Sequence, residues 1–253
     1  MFAIGRQKDS TPSRSVRLAV LGLVAFAATV LMAPTATADA VPSAKQKPGP
    51  NLLVNPGAEN GVPVRAVKNY RAFTNRGWTP MGYEADGIAQ VPAVQFPYAT
   101  TYNGGLNGGL TKTTKGPSPA TRGARYFFGG SSNTTATLTQ PVSLAKYASA
   151  IDAGKATFVM SGWLGGYADQ ADAVTVTAAF LDANGQQVGT PATIGPVTPA
   201  MRGNQTKLML RSTTGAVPAQ ARSVTVQMRF GVRTGGTTND GYADNLTFRV
   251  AGR

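Results

Sequence analysis

The stretch RSVTVQMRF, residues 222–230, decides the fold class of this chain because its apolar and polar side chains alternate strictly. The apolar positions are Val224, Val226, Met228 and Phe230, and the polar positions between them are Thr225, Gln227 and Arg229. A period of two is typical of an antiparallel strand with one face in a core and one face in water. The same alternation recurs at 174–180 and 245–250.

Turn-forming pairs such as Asn184-Gly185 and Asp240-Gly241 separate the alternating segments. Further strands are predicted near 52–54, 87–94, 125–129, 135–142, 156–164, 187–194 and 206–212. Only residues 144–152 favour a helix, with Ser143 as its N-cap and Gly154 just beyond its end. About ten short strands and one short helix predict an all-β antiparallel sandwich over residues 51–250.

The first 40 residues have the three-part pattern of a secretory signal peptide. A basic start precedes a 16-residue apolar run at 18–33, and the exit sequence TATADA predicts cleavage after Ala40, with Ala38 as the alternative. The run is shorter than the roughly 20 residues of a transmembrane helix. We therefore expect a secreted, extracellular protein, exported by the general secretory route, with no transmembrane segment and a flexible lead-in at 41–50.

Composition narrows the chemistry that is open to this protein. The chain has no Cys and no His, which excludes disulfides, thiolate nucleophiles, zinc–thiolate sites and histidine-based triads. Oxygen-ligated cations such as calcium remain open. Without the predicted signal peptide, residues 41–253 keep 20 of the basic and 9 of the acidic side chains, a net charge of +11. This excess favours anionic partners such as acidic cell-wall polymers, unless it only keeps the protein soluble. No nucleic-acid-binding motif occurs, so specific nucleic-acid recognition is not expected.

The two ends of the domain carry its most specific sequence signal. It opens with NLLVNPGAENG at 51–61 and closes with TNDGYADNLTFRV at 238–250. This pair of ends resembles the galactose-binding-like jelly rolls, a superfamily that includes several families of carbohydrate-binding modules. Runs in the middle, such as 156–185 and 222–230, are similar to domains of secreted bacterial proteins. The resemblance implies a jelly-roll sandwich over 51–250.

Members of this superfamily commonly hold a structural calcium ion where the first and last strands of the domain meet. The resemblance transfers that role to Glu59 and Asp244 of this chain. Asn55 and Asp240 are weaker candidate ligands, and Asn55 could instead cap its own turn. Backbone carbonyls from the two adjoining loops would complete the ligand set.

The residues themselves favour a partner for Asp244. Asp244 has the same parity as Leu246, which is predicted to point inward, and a buried carboxylate without a partner is costly. Calcium is one possible partner. The alternatives are an ion pair with Arg122 or Arg125, and carboxylates that are simply solvated.

Segment 96–123 is rich in Gly, Thr and Pro and is predicted to be a long loop, either functional or disordered. Aromatic side chains near this loop and beside Gly-rich turns are candidate glycan contacts, because sugar rings stack on aromatic faces. These candidates are Tyr83, Phe96, Tyr98, Tyr102, Tyr167 and Tyr242. Trp78 and Trp163 are instead predicted to pack in the core.

Catalysis is poorly supported by the sequence, and no catalytic residue is assigned. Glu84 and Asp86 form a close acidic pair, but glycosidase carboxylates usually come from separate strands. The sequence therefore predicts a secreted, non-catalytic protein that binds a glycan or another anionic extracellular polymer and holds a structural calcium ion. The alternative is an adaptor or structural subunit of a secreted complex, which would contact protein partners through its N-terminal tail and loops.

Overall fold

The computed structural model describes residues 47–61, 63–67, 70–73, 75–81, 98–102, 109–130, 135–231 and 238–252. The predicted signal peptide, residues 1–40, and residues 41–46 of the lead-in lie outside this part of the chain. All the described residues belong to one compact unit, 39–253. None of the helices found among them is long and apolar enough to cross a membrane.

The described residues form two antiparallel sheets. The seven-stranded sheet contains, in spatial order, β1 (Pro63–Val67), β2 (Tyr70–Phe73), β4 (Tyr98–Thr101), β5 (Arg125–Gly130), β12 (Asn239–Ala251), β7 (Thr157–Gly166) and β10 (Lys207–Ala216). The five-stranded sheet contains β3 (Thr79–Met81), β6 (Ala136–Ser143), β11 (Ser223–Gly231), β8 (Ala173–Leu181) and β9 (Ala192–Ile194). The all-β sandwich expected from the sequence is confirmed.

The main core lies between the inner faces of the two sheets. The apolar positions of β11 are all buried there, as their alternation predicts. The rings of Phe158, Phe180 and Phe248 meet at centroid distances of 5.2 to 6.1 Å. Trp78 packs edge-on against Phe127 at 5.6 Å and is 5% exposed, so the prediction that Trp78 belongs to the core is confirmed. Burial of each such side chain contributes about 1.5–3 kcal/mol.

The predicted helix is present as a 3-10 turn, Ala145–Tyr147, followed by α2 (Ala148–Asp152). The N-cap is Leu144 and not the predicted Ser143, although the hydroxyl of Ser143 accepts the N–H of Ala145 at 3.3 Å. Gly154 follows with φ +66, a conformation that a residue without Cβ adopts at little cost. A second short helix, α1 (Pro119–Arg122), lies in the segment predicted to be loop.

Strand β12 changes the face that it presents at a bulge. Before the bulge, Ala243 points into the main core and Asp244 pairs with Trp163 of β7. The register then shifts by one residue around Asn245, which has φ +47, and Phe248 again points into the core. The extra residue inverts the alternation, so Asp244 lies on the outer face of the sheet. The prediction that Asp244 points inward together with Leu246 is therefore wrong.

The N-terminal segment 49–52 runs beside β12. The N–H of Gly49 donates to the carbonyl of Val250 at 3.1 Å, and that of Leu52 donates to Phe248 at 2.9 Å. The predicted strand at 52–54 does not form. The N–H of Phe248 donates at 2.9 Å to the side-chain oxygen of Asn51, and not to a backbone carbonyl of this segment as in a strand ladder. The predicted strand at 87–94 lies outside the described residues.

Candidate functional site

A second aromatic cluster covers part of the outer face of the seven-stranded sheet. We call it the outer cluster; its buried members are Tyr102, Leu110, Tyr126, Phe128, Leu208 and Tyr242, with Trp163 and Tyr167 partly buried against them. The ring of Tyr126 lies 5.0 Å from that of Tyr102 and 5.4 Å from that of Tyr242. Because strand side chains alternate, Phe127 of β5 faces the main core and Phe128 faces the outer cluster.

Residues 109–118 lie over the outer cluster, and the buried side chain of Arg122 holds them there. Its guanidinium donates to four backbone carbonyls of this loop, including those of Thr114 and Pro117, both at 2.8 Å. The guanidinium carbon also lies 4.9 Å from the centre of the Tyr102 ring, a cation–π distance. This described part of the predicted 96–123 loop is therefore packed, and residues 103–108 lie outside the described residues.

Asp244 is fully buried at one side of the outer cluster. The hydroxyl of Tyr102 donates to Oδ2 of Asp244 at 2.6 Å, and the N–H of Asn245 donates to Oδ1 at 2.7 Å. Burial raises the pKa of Asp244 to about 8, the two hydrogen bonds oppose that rise, and the nearby charge of Glu59 adds to it. Burial also raises the pKa of Tyr102. Burial therefore disfavours the ionised form of Asp244, and the two hydrogen bonds that it accepts favour it.

Glu59 is exposed and fastens the N-terminal turn to the start of β5. Its carboxylate accepts the N–H of Ala124 at 3.0 and 3.1 Å and the N–H of Arg125 at 2.8 Å. The guanidinium of Arg125 donates to the backbone carbonyl of Glu59 at 2.6 Å. The two arginines proposed as ion-pair partners therefore both contact backbone carbonyls, Arg125 that of Glu59 and Arg122 those of the loop.

Gly57 lies against the side chains of Asn245, Asp244 and Glu59. A Cβ at position 57 would lie 3.1 Å from Oδ1 of Asn245, 3.4 Å from Oδ1 of Asp244 and 3.9 Å from Cγ of Glu59. Carboxylate and amide oxygens are the donors that calcium prefers. Glu59, Asp244 and Asn245 therefore fit a calcium ion in donor chemistry. The described residues include no group of three acidic side chains, so the other ligands would be carbonyl or water oxygens.

The two weaker candidate ligands are engaged elsewhere. Nδ2 of Asn55 donates to the carbonyl of Asn60 at 2.8 Å, and its Oδ1 accepts the N–H of the same residue at 2.8 Å, so Asn55 closes its own turn. Asp240 precedes Asp244 by four residues, about 13 Å along the strand. Its Oδ1 accepts the hydroxyl of Tyr242 at 3.0 Å. The structure does not bring Asn55 or Asp240 into the group of oxygens beside Gly57.

Asp240 belongs instead to a separate buried polar cluster that the sequence did not predict. Oδ2 of Asp172 accepts the backbone N–H of Asp240 at 3.2 Å. With the side-chain amide of Gln170 turned so that its nitrogen faces the carboxylates, that nitrogen donates to Oδ2 of Asp240 at 2.9 Å. Arg202 is fully buried nearby and donates to the carbonyl of Tyr167 at 2.9 Å. Burial lowers the pKa of Arg202. The cluster joins three distant segments, which no local pattern reveals.

Beyond the described part of the loop, the outer face of the seven-stranded sheet carries Trp163. Trp163 packs against the outer cluster, as a hydrophobic side chain should, but it is only partly buried and lies outside the main core, which differs from the prediction. Its cross-strand neighbour on β10 is Leu210, which is 51% exposed. The next outward pair is Ser161 and Thr247, whose hydroxyls lie 2.7 Å apart. The face therefore combines an indole, an exposed aliphatic side chain and two hydroxyls.

The predicted glycan contacts have different outcomes. Tyr102 and Tyr242 are 5% and 1% exposed, so the expectation that nothing buries Tyr102 is wrong and neither ring offers a free face for stacking. Tyr167 is partly buried at the edge of the outer cluster. Tyr98 is described only as a backbone position of β4. Outside the described residues lie Tyr83, Phe96, Glu84 and Asp86.

Neither a protein-family model nor a curated protein matches this chain. Solved structures similar to it include the enzymatically active domain of tailspike protein 4 from bacteriophage CBA120, at 13% identity and a TM-score of 0.41 over 79% of this chain and 21% of that chain. The CBM22-1 and GH10 modules of a Clostridium thermocellum xylanase, complexed with xylohexaose, are 15% identical. Their TM-score is 0.38 over 70% of this chain and 26% of that chain. A Stig cyclase from Fischerella sp. TAU is 13% identical, with a TM-score of 0.46 over 81% of this chain and 99% of that chain.

The chain thus spans about a fifth of the tailspike chain and about a quarter of the xylanase chain. Solved structures similar to this chain include carbohydrate-binding modules as well as enzymes. Similarity at this level does not transfer an activity or a ligand from one protein to another.

Proposed function

We propose that this protein binds a glycan, and that the glycan lies on the outer face of the seven-stranded sheet around Trp163. The observation that carries the proposal is the position of this indole, partly buried on the outer sheet face and paired across the strands with exposed Leu210. An indole presents a flat apolar surface on which the C–H face of a sugar ring can stack. The hydroxyls of Ser161 and Thr247 can exchange hydrogen bonds with sugar hydroxyls.

The outer face of the five-stranded sheet is a weaker candidate. Its outward side chains on β6, β8 and β11 include Thr137, Thr175, Thr177, Thr225, Gln227 and Arg229. These residues can form hydrogen bonds, but none of them supplies an aromatic surface. Ligand sites usually combine an apolar or aromatic surface with a few polar groups that fix orientation. The Trp163 face meets that description and the threonine-rich face does not.

The state of the buried carboxylates supports binding over catalysis. Asp244 accepts hydrogen bonds from Tyr102 and Asn245, and Asp240 accepts one from Tyr242. A carboxylate that acts as a general acid or base must reach the substrate directly or through one water molecule. Asp240 and Asp244 are buried and engaged within the protein, so they are poorly placed for that role.

Tryptophan fluorescence offers a direct test, because the chain has only two tryptophans and Trp78 is buried in the core. Titration with xylohexaose, cellohexaose and chitohexaose should change the emission of Trp163. Calorimetry on Trp163→Ala should show at least about tenfold weaker binding, a loss of about 1.4 kcal/mol. Thr177→Ala, on the other sheet, should bind as the wild type does.

Unchanged affinity in Trp163→Ala would contradict the proposed site, as would an equal loss in Thr177→Ala. Thermal unfolding of both variants separates loss of binding from loss of folding. If neither these neutral oligosaccharides nor an acidic one such as hexagalacturonate binds the wild-type protein, the adaptor hypothesis becomes the better one. Co-purification of stable protein partners from culture supernatant would then support it.

We also propose that Glu59, Asp244 and Asn245 hold a structural calcium ion. When bound, calcium supplies the positive charge that a buried ionised carboxylate needs. Without calcium, the pKa of Asp244 is higher in the folded protein than in the unfolded chain. Its contribution to the stability of the folded state is therefore complete below about pH 4 and is lost as the pH rises toward 8. Because calcium binds the ionised carboxylate, its stabilising effect should increase over the same pH range.

The measurement is thermal unfolding at pH 5 and pH 8, in saturating calcium and in chelator. Calcium should raise the midpoint at both pH values, and more at pH 8. Asp244→Asn removes the titrating group and should abolish the difference between the two pH values. An unchanged midpoint in saturating calcium at pH 8 would rule out the calcium site.

A further inference from the structure

A cleft of about 720 Å³ lies at the C-terminal end of β12, between the N-terminal segment and the short helical region. Its walls include residues 48–50 and 250–252 together with Lys47, Lys146 and Tyr147. Both lysines are exposed. Among the described residues that line the cleft, none is Asp or Glu. The cleft is therefore a concave surface with cations and no opposing carboxylate in its described lining.

A third cation stands at the edge of this cleft. The guanidinium of Arg249 donates to the carbonyl of Gly49, one of the lining residues, at 3.2 Å. The ammonium of Lys146 lies 4.9 Å from the centre of the Tyr147 ring, which favours a position over the cleft wall. Three positive groups thus gather around one end of the sandwich.

The cleft continues the direction of the Trp163 face. Thr247 pairs with Ser161 and Arg249 with Val159, so Arg249 lies two outward rows, about 13 Å, from the row of Trp163. The next outward residue of β12, Ala251, lines the cleft itself. A linear polymer that stacks on Trp163 and follows β12 therefore passes the row of Arg249 and comes level with Ala251, a lining residue of the cleft, after about 20 Å.

We propose that the glycan is acidic, and that Lys47, Lys146 and Arg249 bind its anionic groups at this cleft. The inference rests on the proposed glycan binding and adds the charge of the ligand and a second contact region. Ammonium and guanidinium groups form charge-assisted hydrogen bonds with carboxylate and phosphate oxygens. The net charge of +11 on residues 41–253 also attracts an anionic polymer over a distance, and salt weakens that attraction.

The experiment compares three oligomers by calorimetry at low and at high salt. They are hexagalacturonate, which carries carboxylates, a glycerol-phosphate oligomer, and a neutral galactose oligomer of matched length. We expect at least one acidic oligomer to bind on the order of tenfold more tightly than the neutral one at low salt, with the gap closing at high salt. The preferred oligomer also tells whether carboxylate or phosphate is the better anion.

The decisive variant is Lys47→Gln/Lys146→Gln, and its matched control is Lys112→Gln/Lys115→Gln. Both double variants remove two positive charges from exposed positions, but the control pair lies on the loop over the outer cluster. The first should lower the affinity for the acidic oligomer to about that of the neutral one, on the order of tenfold, and the control by no more than about twofold. Trp163→Ala should weaken binding of every oligomer.

Equal binding of acidic and neutral oligomers by the wild type, or an equal loss in both double variants, would overturn the inference and leave the proposed glycan site standing. If no oligomer binds the wild type, the proposed function fails and the inference fails with it. Thermal unfolding shows whether each variant is folded. Because all four lysines are exposed, we expect midpoints within a few degrees of the wild type.

Discussion

The two outer faces of this sandwich are built on different principles. On the five-stranded sheet, the outward positions of β6, β8 and β11 carry mainly Thr, Ser, Gln and Arg. On the seven-stranded sheet, Phe128, Tyr242 and Trp163 point outward, and residues 109–118 cover most of this apolar area. The first face is ordinary for an antiparallel sheet with one side in water, whereas the second needs a cover.

The difference shows where a binding face can arise in such a fold. Among the described residues, the cover over the outer cluster reaches Leu208, because a Cβ at position 116 of the loop would lie 3.3 Å from Cβ of Leu208. The next outward residue of β10, Leu210, is half exposed and pairs with Trp163. Within the part of the chain that the structure describes, an apolar surface therefore continues from the covered cluster to exposed Leu210. That surface, rather than the polar face, is where we place the glycan.

Truncation of an outward side chain should lower the free energy of unfolding far more on the covered face than on the polar face. This is the largest effect that we expect. Tyr242→Ala should lower the free energy of unfolding by about 3–5 kcal/mol, as for a buried aromatic residue in a core. Gln227→Ala, outward on the other sheet, should change it by no more than about 0.5 kcal/mol. Denaturant unfolding measures both. Similar costs for the two variants would remove the distinction between the faces.

The next effect concerns the cover itself. Arg122→Ala leaves several loop carbonyls without their donor, so we expect a loss of about 1–3 kcal/mol and faster trypsin cleavage at Lys112 and Lys115. Arg122→Lys should not restore protection, because an ammonium lacks the planar fork that reaches these carbonyls. Arg229→Ala, on the uncovered face, is the matched control. Unchanged cleavage in Arg122→Ala would show that the loop is held by other contacts.

The smallest effect concerns the bulge in β12, where the alternation of inward and outward side chains is inverted. Asn245 has φ +47, a region that β-branched residues avoid, so Asn245→Val should cost about 1–2 kcal/mol. Thr225→Val, at a regular strand position, should be close to neutral or slightly stabilising. Denaturant unfolding again measures the difference. If Asn245→Val is as stable as Thr225→Val, the left-handed conformation is not required for this register.

How far the sequence predicts this fold depends on how each strand is buried. Strands β6, β8 and β11 alternate clearly because one face is in the core and the other is in water. Residues 98–102 gave no such signal, because Ala99 faces the main core while Tyr102 is buried in the outer cluster. Segments β1, β2 and β3 were not predicted either, since each has only three to five residues.

The candidate site divides in the same way. The resemblance of the two ends named Glu59 and Asp244, and the structure places both beside Gly57. Asn245 was missed as an oxygen donor because its neighbours in sequence mark it only as a strand residue. Trp163 was assigned to the core because its flanking residues are apolar. One signal was present in the sequence. Trp163 and Leu164 are neighbours in an alternating strand, so when Leu164 points into the core Trp163 points out of it.

The sequence by itself determined the all-β sandwich, the short helix after Ser143 and the absence of thiol and imidazole chemistry. These features follow from composition and from patterns that span a few residues. Tertiary structure alone decided which way Asp244 points, what buries Tyr102, and that Trp163 lies outside the main core. The physical reason is that one extra residue at a bulge inverts a strand's facing, while contacts such as the Tyr102–Asp244 hydrogen bond join positions 142 residues apart.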